Sequence, residues 1–248
     1  TRNIISSSME NKKILLGLTT TWGSDWKDKT KEIERFGIKE ISLFLTAINP
    51  SERKILYDLL EKTEIDSIPH VHLRDDMELW ELEYLEKRFK TQVFNIHGEK
   101  DVHSFPKFID EMGSYCPVTY LENTEDVPSE ERLKLFGGIC VDFSHWQDGI
   151  LFNHSDYDKK MKAAVKKFRV GYSHISAIGS NIIKNNDIQF EEILYENFSK
   201  HHFDNLSEFD YIKDFIDYIP NLISLELSNS FEEQLKVKEY LEKIINNK

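Results

Sequence analysis

A chain of 248 residues, 40% hydrophobic and 31% charged, is long enough to bury a full core and has the composition of a globular protein rather than a disordered one. No apolar run approaches the ~20 residues that a membrane-spanning helix needs, so no membrane partner is expected. The formal net charge of -12 weighs against nucleic acid, whose phosphates are bound by clustered Lys and Arg; a local basic patch would still allow it.

The opening TRNIISSS lacks the apolar segment and cleavage site of a secretory signal, and residues 1–8 are expected to be a tag or a disordered N-terminus. Residues 9–248 then form one domain. Lys13 to Thr21 (KILLGLTTT) has strand length and precedes a helix-period stretch from Asp25 to Phe36. Glu40 to Ile48 repeats the strand, and Asn49-Pro50-Ser51 opens an amphipathic helix with Pro where its missing N–H costs least. Ser67 to Leu73 is the third strand and Met77 to Phe89 its helix; Gln92 to His97 is the fourth, followed by a helix from Ser104 to Met112. The fifth strand, Val118 to Glu125 (VTYLENTE), breaks from β-branched and apolar residues into Glu122, Asn123 and Thr124, with a short helix from Glu130 to Phe136 behind it.

Gly138 to His145 (GICVDFSH) is the sixth strand and Asp156 to Phe168 its helix. Val170 to Ile175 is the seventh. Ser176 to His202 is then expected as a long loop of mixed polar sequence, functional or mobile, before a helix from Leu206 to Ile219. Leu222 to Leu227 and the helix Phe231 to Ile245 complete eight strand–helix units. Eight units without a Gly-rich phosphate loop favour a single parallel (β/α)8 TIM barrel, an α/β fold, over an open doubly wound sheet. Cys116 and Cys140, both in apolar contexts, are expected as small buried hydrophobes of a reducing cytosol, which makes the expected location cytoplasmic.

Barrels of this kind carry their chemistry where the strands end. The polar residues at those ends are His70, His72, His97, Glu122, Asp142, His145, His174 and Glu226, with His201 and His202 in the long loop. Imidazoles mixed with carboxylates suit Zn²⁺, Mn²⁺, Fe²⁺ or Co²⁺, whereas an all-oxygen set would suit Mg²⁺ or Ca²⁺. Taken singly, His72 or His103 is better read as an ordinary polar residue. Glu122, Asp142, His174 and Glu226, one from each of the last four strands, form the sharpest set, because three carboxylates around one imidazole call for a cation. His145, three residues beyond Asp142, serves either a second metal or the substrate.

The endings PH at 69–70, IHGE at 96–99, LENT at 121–124, VDFSH at 141–145, HIS at 174–176 and LEL at 225–227 resemble those of the endonuclease IV and xylose isomerase-like barrel superfamily. For the endonuclease branch the resemblance implies a first zinc on His70, His97 and a bridging Glu122, and a second on Glu122, Asp142, His174 and Glu226. A third would use His145 with an aspartate and a histidine from the loop after strand seven, where this chain has Lys200-His201-His202 in place of Asp-Arg-His. For the isomerase and epimerase branch it implies one metal on the Glu, Asp, His, Glu set, with Glu122 and Glu226 moving a proton between adjacent carbons. One to three ions of Zn²⁺, Mn²⁺ or Co²⁺ are therefore expected.

Trp22 and Trp146 either form an apolar wall against a sugar ring or pack at the barrel rim. Arg74 pairs with a substrate phosphate or carboxylate, or with Asp75 or another nearby acid. A metal-dependent isomerase or epimerase acting on a sugar, sugar phosphate or polyol is the first expectation, with catalytic Glu122, Glu226 and His145 and a substrate lined by Trp22, His72, Arg74 and Trp146. An abasic-site endonuclease is the second, and a ligand-binding barrel without chemistry the third.

Overall fold

The computed structural model describes residues 12–21, 23–98, 109–154, 156–186 and 194–246. The N-terminal stretch 1–8, Trp22 and the first half of the helix expected over 104–112 lie outside the described residues. Eight parallel strands close into a barrel: β1 (Lys13–Thr19), β2 (Glu40–Phe44), β3 (Ser67–His72), β4 (Val93–His97), β5 (Thr119–Glu122), β6 (Gly138–Asp142), β7 (Val170–Ile175) and β10 (Leu222–Leu225). Around the ring they run β1-β10-β7-β6-β5-β4-β3-β2, every pair parallel. With helices between the strands, this is the (β/α)8 TIM barrel.

The α-helices with both ends among the described residues are α1 (Trp26–Arg35), α2 (Pro50–Leu60), α3 (Leu79–Phe89), the single turn α4 (Glu130–Leu133), α5 (Phe143–Leu151), α6 (Tyr157–Lys167) and α7 (Phe231–Asn246). Their starts follow from side-chain chemistry. Asn49 accepts the N–H groups of Ser51 and Glu52 while Glu52 returns to the N–H of Asn49, and Pro50 sits at the first helical position. The segment expected as a helix over 206–219 is a run of 3₁₀ turns, Leu206–Tyr218, laid against the barrel by Phe209, Ile212 and Phe215. Among the described residues no helix is long and apolar enough to cross a membrane.

The core is a shell between strands and helices, built from residues such as Leu18, Leu43, Val71, Leu121, Val141 and Leu225, all fully buried. The barrel's own interior is narrower and more polar, with Tyr120, Cys140 and Tyr172 packed together. The ring closes tightly where β1 meets β10: a Cβ on Gly17 would stand 1.8 Å from the carbonyl oxygen of Leu225, so only glycine fits. Buried Gln234 of α7 secures that seam, accepting the Gly17 N–H at 2.8 Å and donating to the carbonyls of Gly17, Leu227 and Asn229 at 2.9, 3.1 and 3.0 Å.

Two expectations about the chain are corrected. The stretch from Ser176 to His202 is not a plain loop but an antiparallel hairpin, β8 (Ala177–Asn186) and β9 (Leu194–Lys200). The sixth strand stops at Asp142 rather than His145, because the Asp142 carboxylate caps a helix: its Oδ1 accepts the N–H of Ser144 at 2.7 Å and of His145 at 3.0 Å. β6 is therefore followed by two helices, α5 and α6.

Candidate metal centre

The register puts the carboxylates and imidazoles of neighbouring strands side by side. His97 pairs with Glu122, and Asp142 with His174, which in turn lies beside Ser224, two residues before Glu226. Because side chains alternate along a strand, Ser224 and Glu226 share the inward face, as do Cys140 and Asp142. Glu122, Asp142, His174 and Glu226 offer donor atoms that all lie within 4.8 Å of one another, and all four residues are buried. His174 Nδ1 faces Glu122 Oε2 at 3.5 Å, Glu226 Oε2 at 3.6 Å and Asp142 Oδ2 at 3.9 Å. Neither ring nitrogen of His174 makes a hydrogen bond.

Three carboxylates converging on one buried imidazole that makes no hydrogen bond is an arrangement that a cation would complete, since their combined negative charge exceeds what one imidazole and the hydrogen bonds to Asp142 and Glu122 offset. In the protein alone a proton performs part of that task. Burial works to lower the His174 pKa, but Cys140 and Glu122 hold it well above the usual histidine range. Burial likewise works to raise the Glu122 pKa, and His174 and His72 bring it well below the carboxylate range. Asp142 is suited to offering one oxygen: Oδ1 is occupied by the cap and by the Ser144 hydroxyl at 2.5 Å, leaving Oδ2 toward His174. The mixed oxygen and nitrogen donors fit Zn²⁺, Mn²⁺ or Co²⁺.

A second group adjoins the first and shares Glu122 with it: His72, His97 and Glu122. His72 Nε2 lies 3.2 Å from Glu122 Oε2 with no hydrogen-bond partner, while its Nδ1 contacts the Leu73 carbonyl at 2.8 Å. Burial lowers the His97 pKa to about 4, so the ring is a neutral donor. The expectation for His70 is corrected here. It lies two residues earlier on β3, one layer deeper in the barrel, its Nε2 2.5 Å from Asn95 Oδ1 and its ring stacked on Tyr172 at 3.7 Å. His72, not His70, stands with His97. Burial and the neighbouring His174 hold the His70 pKa well below the usual range.

The remaining candidates divide. His145 occupies the first turn of α5, half-buried, its N–H on Asp142; burial opposes protonation, but Asp142, Glu122 and nearby acids raise its pKa. His201 Nε2 is 3.6 Å from Glu226 Oε1, and the half-exposed ring lines a cavity of about 410 Å³ shared with Thr21, Thr46, Lys200, His202 and Ser228. His202 reaches only that cavity wall, where its Nδ1 is 3.5 Å from the Ser228 hydroxyl. Neither His145 nor His202 belongs to a donor group among the described residues. A smaller cavity of about 170 Å³, on the other side of Thr46, is lined by His72, Arg74, Asp75 and His97.

Arg74 is committed to protein groups: Nε donates to Asp76 Oδ1 at 3.0 Å and Nη1 to the Thr46 carbonyl. The nearby acid that it pairs with is Asp76 rather than Asp75. Trp146 is corrected too. It is fully buried between Phe143, Phe215 and Tyr218, and its Nε1 donates to Asp158 at 3.0 Å, so it packs α5 and offers no wall to a ligand.

Three residues of the site have roles that strand endings alone do not disclose. Asn123 closes a reciprocal pair with the backbone of Asp142, Nδ2 to O and N to Oδ1, both 2.9 Å, which fixes the end of β5 against that of β6. Cys140 lies beneath Asp142 with its thiol in a donor group with Glu122 and His174; burial pushes that thiol up to about 12. Asn95 donates to Glu122 Oε2 from below. The alternation of β4 and β6, counted inward from His97 and Asp142, is the signal that places Asn95 and Cys140. Comparison with protein-family models and with curated proteins finds no match for this chain.

Proposed function

We propose that this protein is a divalent-metal-dependent isomerase or epimerase of a small carbohydrate, working at the mouth of the barrel. One observation carries the reading: Glu122, Asp142, His174 and Glu226 converge from four neighbouring strands on one buried point, beside a cavity of small-molecule size. When bound there, a divalent cation supplies polarisation of a carbonyl or hydroxyl oxygen. Glu226 turns Oε2 toward His174 and Oε1 toward His201, the residue of the pair that lines the cavity, so Oε1 is the atom proposed to take a proton from a substrate carbon. The same carboxylate returns the proton to the adjacent carbon, while Glu122, held ionised on the opposite side of His174, would help to hold the cation. Thr21, Thr46, His201 and Ser228 meet the substrate's hydroxyls. The test is solvent exchange: protein loaded with Mn²⁺ or Co²⁺, incubated with aldoses and ketoses in heavy water, should incorporate deuterium next to the carbonyl. Metal bound at Glu226 without exchange in any sugar would overturn the proposal.

A second reading, endonuclease-type phosphodiester hydrolysis, is favoured by the His72, His97 and Glu122 group, because two cations sharing a carboxylate suit attack by an activated water. Two ions bound per chain together with cleavage of a duplex carrying an abasic site would establish it over the first.

A further inference from the structure

Below the candidate centre, a line of buried polar groups leads from the interior of the barrel to Glu122. His70 Nε2 is 2.5 Å from Asn95 Oδ1, and Asn95 Nδ2 donates to Glu122 Oε2; His70 and Asn95 are both fully buried. Tyr172 stacks on one face of His70, and Phe44 meets it edge-on with ring centroids 5.5 Å apart, so the imidazole is held in one plane. Glu122 Oε2 is no ordinary oxygen in this set. Among the carboxylate oxygens it is the nearest to both His72 Nε2, at 3.2 Å, and His174 Nδ1, at 3.5 Å, and so stands where the two donor groups meet.

An amide has a donor end and an acceptor end. With the N–H of His70 on Nε2, the carbonyl of Asn95 must face His70 and its amino group must face Glu122. The reverse orientation would set the amide oxygen against a carboxylate oxygen and the imidazole against an amino group. The tautomer of His70 therefore selects the orientation of Asn95, and Asn95 then occupies one lone pair of Oε2, leaving the other to face the centre.

We infer that Asn95 is a positioning residue that aims the shared carboxylate of Glu122, and that His70 acts through Asn95 as the group that sets its amide. The inference rests on the divalent-metal reading above. Partners that orient a ligand in this way typically contribute a factor of about 10–100 in metal affinity.

Co²⁺ titration of the full chain, followed by visible absorption and by calorimetry, tests it on wild type, Asn95→Leu, His70→Leu and His70→Gln, with the thermal midpoint of each metal-free protein as a check on folding. Asn95→Leu and His70→Leu should bind Co²⁺ about 10–100-fold more weakly with an altered ligand-field spectrum. His70→Gln, whose side-chain amide restores an N–H toward Asn95, should recover most of the affinity and the spectrum. Unchanged affinity and spectrum in Asn95→Leu would overturn the inference while leaving the metal reading intact. Equal losses in His70→Gln and His70→Leu would also overturn it, since bulk rather than the donor would then matter; this comparison stands even if Asn95→Leu fails to fold. A wild-type chain that binds no Co²⁺ would remove the metal reading and this inference with it.

Discussion

His72 Nε2 lies 3.2 Å from Glu122 Oε2, whereas His70, two residues earlier on the same strand, reaches Glu122 only through Asn95. The two histidines thus differ in kind, and their removal should differ too. His72→Ala deletes a donor of the second group, so a Co²⁺ titration carried to saturation should lose the site built on His97 and keep the one built on His174. His70→Ala should leave the number of sites unchanged and weaken binding at Glu122. The same stoichiometry in wild type and His72→Ala would remove His72 from the centre.

Lys29 yields a prediction about pH. Its amine is buried at the β1–β10 seam, donating to the Leu227 carbonyl at 2.6 Å, and burial draws its pKa down to about 7 against the opposing pull of Glu32 and Glu233. In the unfolded chain the value is 10.5. Between these limits the unfolded state carries a proton that the folded state lacks, so this residue makes stability rise with pH from about 7 upward and level off near 10.5. Below that window the folded protein bears the full cost of a buried charge. The slope contributed by one such group approaches about 1.4 kcal/mol per pH unit. Lys29→Met should remove that slope, and Gln234 still donates to the Leu227 carbonyl in the variant. Denaturant midpoints of the two proteins that run parallel across this window would refute the assignment.

What the sequence made legible, and what it did not, divides along physical lines. Short apolar runs ending in Glu122, Asp142, His174 and Glu226 are strong local signals, and a closed barrel brings their ends together, so the four-residue set follows from strand order alone. Depth within the barrel is a different matter. His70 and His72 share parity and face, and only the tilt of β3 against β4, where His70 pairs with Val93 and His72 with Asn95, decides which reaches the mouth. The start of α5 was hidden because Asp142 serves both as the last residue of a strand and as a helix cap. The hairpin was hidden because the apolar residues between Ala177 and Asn186, Ala177-Ile178 and Ile182-Ile183, fall in adjacent pairs rather than alternating as a strand's would. Trp146 shows the limit of residue type as a guide: an indole at a strand end packs inward as readily as outward.

Arg53, read from the sequence only as part of an amphipathic helix, is fully buried between α2 and α3. Nε and Nη2 grip both oxygens of Glu81 at 2.8 and 2.9 Å, Nη1 reaches Asp76 at 2.9 Å, and the Tyr57 hydroxyl donates to Glu81 at 2.9 Å. Breaking one side of such a pair strands a charge, so Glu81→Leu should cost roughly 3–5 kcal/mol. The double replacement Arg53→Met with Glu81→Leu should cost less than Glu81→Leu alone. Because Asp76 also holds Arg74 at the mouth, Glu81→Leu should loosen Arg74 as well. A double-mutant cycle in denaturant measures the coupling, and additive losses would show that the two residues act independently.

A carboxylate of α5 ties the hairpin at its base to the barrel. Asp148 of α5 accepts the backbone N–H of Phe198 at 2.8 Å and of Ser199 at 3.1 Å, while Asp142 and His145 lie in the first turn of the same helix. Through Asp148 the wall of the larger cavity is tied to the helix that carries part of the candidate centre. Asp148→Ala leaves two amide donors without their acceptor, at a local cost of about 1–3 kcal/mol, which corresponds to roughly 5–150-fold faster hydrogen exchange at those amides. Asp148→Asn keeps a side-chain acceptor and should fall between the two. The remainder of the barrel does not depend on this contact, so the amides of β4 and β5 should exchange at wild-type rates. Faster exchange spread evenly over barrel and hairpin would mean that Asp148 supports the whole fold rather than this one attachment.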